Sequence, residues 1–212
     1  MNPTGWRAYL VTQGSLSAGR DTTSIVEAAI AGGVDAVQLR DKDRSARDRY
    51  RLGRRLRDLT AAADVPLIVN DRVDLAAAID ADGVHLGQSD LPVAVARDRL
   101  GDGAILGCST STVAEAEAAR SAGADYLGVG AVYGTDSKDV PDATNGIGTD
   151  RVAAIADAVD VPVFGIGGID ATNADAVAAA GATGAAVISA ITAAEDPEAA
   201  TATLREVIED AR

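Results

Sequence analysis

At 212 residues the chain is long enough for one domain with a full hydrophobic core. Its formal net charge of −13 repels nucleic acid and anionic membrane surfaces, and no apolar run in it is long enough to span a bilayer. A single cysteine, Cys108, excludes an intrachain disulfide and fits a cytoplasmic setting, and the stretch Met1–Trp6 lacks the basic-then-apolar pattern of a secretory signal. Dense aspartate, scarce lysine, abundant alanine and few aromatics suggest a surface adapted to high salt, where repulsion between carboxylates is screened.

In chain order, one unit recurs: an alanine-rich amphipathic stretch, a small-residue turn, then a short apolar run. It reads "AAIAGGVDAVQLR", "AAIDADGVHLG", "ARSAGADYLGVG" and "AAAGATGAAVIS". Glycine just past a helix supplies the left-handed position that ends it, and a β-branched run without alternation reads as a strand buried on both faces. Pro66 and Pro162 open two further strands. The expected strands are Arg7–Thr12, Ala36–Arg40, Leu67–Asn70, Gly83–Leu86, Ala104–Gly107, Tyr126–Ala131, Val163–Ile166 and Ala185–Ile188, with room for a helix between each pair. Eight buried strands alternating with helices predict a single (β/α)8 TIM barrel over residues 1–212. The competitor is an open doubly wound sheet, which the missing dinucleotide fingerprint after the first strand disfavours.

A closed barrel of this kind carries its active site at the C-terminal ends of its strands. There the sequence places Gln38, Arg40 and Lys42 after strand two, Asn70 and Asp71 after strand three, and His85, Gln88 and Asp90 around strand four. Cys108, Ser109 and Thr110 follow strand five, and the polar loop "YGTDSKDVPDATNGIG" follows strand six. Gly167 and Gly168 follow strand seven, and Ile188 and Ser189 close strand eight. Two lysines exist in the whole chain, Lys42 and Lys138, and both fall at these mouths. Asp71 and Asp90 form an oxygen donor pair suited to Mg2+ completed by water and phosphate. Arg40, Lys42 and Lys138 supply charge for phosphates, while backbone N–H groups after strands seven and eight suit another anion. The inventory implies two phosphorylated small-molecule substrates, no nucleic acid and no membrane partner; it is compatible with a homo-oligomer.

Each residue also has a plainer role. Asp71 reads as a helix cap within "NDRVDLAAA", and Asp90 as a cap before Leu91-Pro92. His85 reads as a hydrogen-bonded interior residue, because no second His, Cys or Glu is spaced for a transition metal. Cys108 reads as a small buried apolar residue, and Asp43 and Arg44 as the start of a solvated helix. No basic patch stands out. The lysines resist such a reading best, since a surface role gives no reason for both to fall at barrel mouths.

The order "YLVT", "VQLRDK", "PLIVNDRVDLA", "DGVHLGQSDLP", "LGCST", "GADYLGVGAVYGTDSK", "FGIGGI" and "AVISAI" closely resembles the thiamine-phosphate synthase family from about Tyr9 to Ile191. The resemblance implies an enzyme that joins hydroxymethylpyrimidine diphosphate to hydroxyethylthiazole phosphate, giving thiamine phosphate and pyrophosphate. By position, Gln38, Leu39, Arg40, Asp41, Lys42, Asn70, Ser109 and Lys138 would hold the pyrimidine diphosphate. Asp71 and Asp90 would hold Mg2+. Thr135, Asp136, Ser137, Gly168, Ile188 and Ser189 would hold the thiazole phosphate. Three positions depart from the family pattern: Ser137 replaces a common Thr, Ser111 a frequent His, and Gln13 a usual acid.

The chemistry so implied is electrostatic. Pyrophosphate leaves once its charge is neutralised, the aminopyrimidine stabilises the cation left on its methylene, and the thiazole nitrogen attacks. A site without Glu and with one His suffices, since no protein nucleophile is needed. The alternatives are a thiazole tautomerase of the same fold, which has no use for the diphosphate half, and a non-catalytic thiamine-phosphate sensor. The loop Thr135–Asn145 is expected to close over the substrates.

Overall fold

Along each expected strand, successive residues differ in what their burial serves, and the computed structural model makes that division visible. It describes residues 2–135, 137 and 145–212. Eight parallel strands close into a barrel in sequence order: β1 (Ala8–Val11), β2 (Ala36–Leu39), β3 (Leu67–Asn70), β4 (Gly83–Leu86), β5 (Ile105–Thr110), β6 (Tyr126–Gly130), β7 (Val163–Ile166) and β8 (Gly184–Val187), with β8 pairing back onto β1. Around it run α1 (Thr22–Ala31), α2 (Ala46–Ala62), α3 (Val73–Ile79), α4 (Val93–Leu100), α5 (Val113–Ser121), α6 (Thr149–Ala158), α7 (Ala174–Ala179), the single turn α8 (Ser189–Thr192) and α9 (Pro197–Asp210). This is the expected (β/α)8 barrel, and the open sheet is excluded.

Because strand side chains alternate, each strand feeds two cores. Outward residues such as Leu10, Val37, Leu39, Val69, Val84, Leu106, Leu127 and Val187 pack against the helices. Inward residues Tyr9, Val11, Ala36, Ile68, Ile105, Tyr126, Phe164, Ala186 and Ile188 fill the barrel with Trp6 plugging it from below. Trp6, Tyr9, Tyr126 and Phe164 stack with centroids 5.5–5.9 Å apart, so a chain with only six aromatic residues places four of them in one interior cluster.

The recurring sequence unit has a structural reason. Asp35, Asp82, Asp125 and Thr183 each stand immediately before an even-numbered strand. Each accepts the N–H of a residue near the start of the preceding odd strand: Ala8 at 3.0 Å, Leu67 at 2.8 Å, Leu106 at 2.7 Å and Val163 at 3.3 Å. Arg205, Arg57 and Arg97 pair with the three carboxylates. These contacts satisfy strand-end donors that would otherwise be lost at the barrel's lower rim.

Several boundaries differ from the sequence reading. Strand β5 runs on to Thr110 because Cys108, Ser109 and Thr110 pair with Leu127, Gly128 and Val129 of β6, so Ser109 belongs to the sheet and not to a loop. Strands β1, β2 and β8 stop short of Thr12, Arg40 and Ile188. Asp43 and Arg44 do not begin a helix: α2 starts at Ala46, capped by the Ser45 hydroxyl on the Asp48 N–H at 3.2 Å. A basic surface does exist, since α2 carries Arg47, Arg49, Arg51, Arg54, Arg55 and Arg57 against only Asp48 and Asp58. Among the described residues no helix is long and apolar enough to cross a membrane.

Candidate active site

Two cavities open at the C-terminal ends of the strands and meet at Thr135, Ile166 and Gly167. The larger, about 560 Å3, is lined on one side by Arg40, Lys42, Asn70, Asp71 and Asp90, and on the other by His85, Gln88, Ser109, Ser111 and Glu115. The smaller, about 330 Å3, lies over β7 and β8 and is lined by Thr135, Ser137, Gly168, Asp170, Ile188 and Ser189. Lys138 and Asp136 lie outside the described residues, as does most of the loop expected to close over the site.

On the β2 side, Gln38 points inward and is 2% exposed; its amide N donates to the Tyr9 hydroxyl at 2.7 Å, while Oε1 has no partner among the described residues. Arg40 follows on the same face, 8% exposed, and donates to Oε1 of Gln13. Gln13 in turn donates to Asp43 at 2.8 Å, which fixes its amide with the oxygen toward Arg40. A neutral amide thus meets the guanidinium at one of the positions that departs from the family pattern, and it leaves the positive charge uncancelled by that residue.

Two residues of the stretch have side chains directed elsewhere. Leu39 packs outward among the helices, close to Gly53 and Ile79. Asp41, at a φ of +30°, is 2% exposed and accepts from Gly14 N–H and from the Thr12 hydroxyl, tying the β1 and β2 loops together. Of this stretch, Arg40 and Lys42 line the larger cavity.

The acids are not caps. Helix α3 is preceded by Arg72 and α4 by Pro92, neither with a side-chain cap. Asp71 instead sits at a φ of +62°, its N–H held by the His85 carbonyl at 2.9 Å, and its carboxylate meets Lys42 Nζ at 2.7 Å. Asp90 accepts the Gly87 N–H at 2.7 Å and comes within hydrogen-bonding reach of Asp71. Burial, and then the neighbouring Asp71 carboxylate, hold the Asp90 carboxyl above its ordinary range, against the opposing pull of the Gly87 N–H and Lys42. Two crowded carboxylates at a water-accessible rim suit a hard divalent cation. Among the described residues no group of three or more His, Cys, Asp or Glu could make a closed cage, so such an ion would keep positions for water and ligand oxygens.

On the same side as the acids, Asn70 is 7% exposed beside Asp71. Ser109 meets His85 Nε2 at 2.8 Å, and Nδ1 of His85 meets the Tyr126 hydroxyl at 3.1 Å. His85 is therefore an interior hydrogen-bonding residue that also borders the cavity. Cys108 faces the helices, its thiol pushed up to about 11 by burial. The expectation of a site without Glu needs correction, because Glu115 lines the cavity. Its carboxylate is nonetheless committed to the N–H groups of Ser111 and Thr112 and to the Ser111 hydroxyl, completing a capping box for α5.

In the smaller cavity, the turn after β7 brings Gly167 and Gly168 to φ values of +101° and +66°, and a Cβ on Gly168 would meet Gly134 O and Tyr133 Cβ at 2.8 Å. Glycine is required there by both backbone and space. Opposite, Ser189 begins α8, whose first N–H groups have no acceptor within their own turn. Thr135 and Ser137 close the third side, with the Ser137 N–H on the Thr135 hydroxyl at 3.2 Å. The two halves therefore differ in kind: cations and paired carboxylates in one, backbone donors and hydroxyls in the other.

Comparison with known proteins gives the chain a family. Residues 8–191 match the family model described as thiamine monophosphate synthase. The chain belongs to that family. It is 62% identical over 208 residues to the thiamine-phosphate synthase of Haloarcula marismortui, covering 98% of this chain and 99% of that one. It is 50% identical over 207 residues to the thiamine-phosphate synthase of Moorella thermoacetica, covering 98% of each. Among solved structures, the thiamine phosphate pyrophosphorylase from Pyrococcus furiosus superimposes with a TM-score of 0.89 at 39% identity, covering 99% of this chain and 98% of that one. Family members are transferases, and the expected family and enzyme class hold.

Proposed function

We propose that this transferase condenses 4-amino-2-methyl-5-(diphosphooxymethyl)pyrimidine with 4-methyl-5-(2-phosphoethyl)thiazole, releasing thiamine phosphate and pyrophosphate. The observation that carries the reading is the adjoining of two unlike cavities at Thr135, Ile166 and Gly167, one lined by cations and a carboxylate pair and one by backbone donors and hydroxyls. Two phosphorylated reactants brought together across such a seam need only be aligned and relieved of charge.

In this reading Arg40 and Lys42 bind the diphosphate. Arg40 offers a planar fork to two oxygens, and Lys42, half-exposed and paired with Asp71, adds a mobile point charge. Asp71 and Asp90 would hold Mg2+. Bound there, the ion would neutralise charge on diphosphate oxygens. The C–O bond between the pyrimidine methylene and the diphosphate breaks with its electron pair leaving on oxygen, and the cationic side chains stabilise that developing charge. Asn70, Gln38 and Ser109 orient the pyrimidine. Thr135, Ser137, Gly168 and Ser189 anchor the thiazole phosphate, so that the thiazole nitrogen lies in line to form the new C–N bond. No side chain is required as nucleophile. The reaction is placed in the cytoplasm, in keeping with the single free thiol.

The deciding experiment supplies both substrates with Mg2+ in saline buffer and follows thiamine phosphate and pyrophosphate together. Stoichiometric formation of both is expected. Folded protein that forms neither, or that instead isomerises a thiazole carboxylate phosphate without the diphosphate, would overturn the reading.

A further inference from the structure

Beneath the larger cavity a continuous hydrogen-bond chain crosses the barrel interior. The Gln38 amide N donates to Tyr9 Oη at 2.7 Å, Tyr9 Oη lies 2.8 Å from Tyr126 Oη, Tyr126 Oη lies 3.1 Å from His85 Nδ1, and His85 Nε2 lies 2.8 Å from Ser109 Oγ. It links β2, β1, β6, β4 and β5 in turn. Tyr9 and Tyr126 are 1% and 0% exposed. Space has been cleared for it: a Cβ on Gly107 would overlap the Tyr126 ring and crowd His85 Nδ1, and one on Gly128 would meet His85 Cε1 at 3.0 Å. Neither tyrosine nor His85 figures among the residues assigned above to the substrates.

The direction of the chain follows from counting protons. A neutral phenol has one proton to donate, and burial holds both phenols well above their ordinary pKa, so both stay neutral. Tyr9 Oη meets only Gln38 and Tyr126 among the described residues. It receives the Gln38 N–H, so its own proton must go to Tyr126. Tyr126, having received that proton, gives its own to His85 Nδ1. A neutral imidazole that accepts at Nδ1 carries its proton on Nε2 and donates it to Ser109 Oγ. Running the chain the other way, with the same Gln38 amide, would give Tyr9 two incoming donors and leave its own proton buried without an acceptor, at a cost of about 1–3 kcal/mol.

We propose that Tyr9, Tyr126 and His85 are positioning residues that form a one-way relay, set in direction by the Gln38 amide and fixing the Ser109 hydroxyl as a hydrogen-bond donor into the cavity. Ser109 Oγ already accepts from His85, so its proton is turned outward to an acceptor. Of the two ends, only Ser109 borders the larger cavity. A ligand there must bring an acceptor to Ser109, and the ring nitrogen of an aminopyrimidine offers one. The substrate part of the proposal rests on the function proposed above; the direction of the relay does not.

The chain has one histidine, so the test is direct. Long-range proton–nitrogen NMR correlation on uniformly 15N-labelled, ligand-free protein, well above the ordinary histidine pKa, reads the His85 tautomer. The Nε2–H form is expected. Tyr126→Phe removes the donor to Nδ1, and Tyr9→Phe removes the group that forces Tyr126 to give its proton away; both should lower the Nε2–H fraction, the second through a residue that does not touch His85. Kinetically, each should lower kcat/KM for the pyrimidine substrate by about five- to tenfold and leave the KM for the thiazole phosphate unchanged. An Nδ1–H tautomer in the wild type, or an unchanged tautomer in folded Tyr9→Phe, overturns the relay. Should Tyr126→Phe not fold, the wild type and Tyr9→Phe decide the matter. Because the tautomer is read without substrate, a protein with the Nε2–H form but no condensation activity would sink the proposed function and leave the relay standing.

Discussion

At the lower end of the barrel, Asp35, Asp82 and Asp125 each accept a strand N–H and each has an arginine beside it, whereas at the upper end Asp71 and Asp90 crowd each other around one lysine. The same residue type therefore does two jobs. Below, each carboxylate is matched by a strand N–H and an arginine that the fold itself supplies, and the acid closes the sheet. Above, burial and then the neighbouring Asp71 disfavour an ionised Asp90, and the Gly87 N–H and Lys42 offset this only in part. The difference teaches how to tell a stabilising acid from a binding one: by whether the protein has already satisfied it.

The strongest way to break that comparison is to remove the upper acids one at a time. Asp71→Ala and Asp90→Ala should each lower the condensation rate by about 100-fold or more and weaken its dependence on Mg2+, while the thermal midpoint stays at or above that of the wild type. Mg2+ titrations of initial rate alongside calorimetric melting check this. A variant that loses activity only because it melts would mean that upper and lower acids do not differ.

The lower acids should behave conversely. Asp82→Ala leaves the Leu67 N–H and the Arg57 guanidinium without their carboxylate, and we expect a loss of about 1–3 kcal/mol in denaturant unfolding. The rate per folded molecule should be unchanged, since Asp82 lies at the far end of the barrel from the site. A large fall in kcat with unaltered stability would sharpen the picture against us.

Much of this was legible in the sequence because the repeating unit and the physics coincide. The four recurring segments are those that lead into β2, β4, β6 and β8, and the residue before each strand is the one that ties down the odd strand beside it. Period-two alternation placed Gln38 and Arg40 inward and Leu39 outward. What sequence could not convey is where a polar side chain spends its hydrogen bonds. Asp71 and Asp90 look like caps because Asp before a helical run usually is one; only the backbone turn at Asp71 and the Gly87 N–H remove that role. Glu115 escaped notice because a capping box hides a cavity-lining carboxylate behind an ordinary helix start. Tyr9 and Tyr126 fall inside expected strands and are core; their hydroxyls matter only because β1 and β6 face each other across a closed barrel, a contact of residues 117 apart in sequence.

The smallest expected effect separates the two kinds of acid by pH. Burial and then Asp71 raise the Asp90 carboxyl above its ordinary value, so the folded protein binds that proton more tightly than the unfolded chain does. Between the ordinary aspartate pKa, about 3.9, and the raised value, the folded state holds more protons, and stability must fall as pH rises through that window. Asp90→Asn should remove this component, so the difference in melting temperature between variant and wild type should grow across the window by roughly 1–3 °C in Mg2+-free buffer. On the proposed metal assignment, saturating Mg2+ should bind the folded wild type and offset the difference. A wild type that instead gains stability relative to Asp90→Asn on ionisation would place Asp90 with the satisfied acids below, and the carboxylate pair would no longer be a site waiting for a cation.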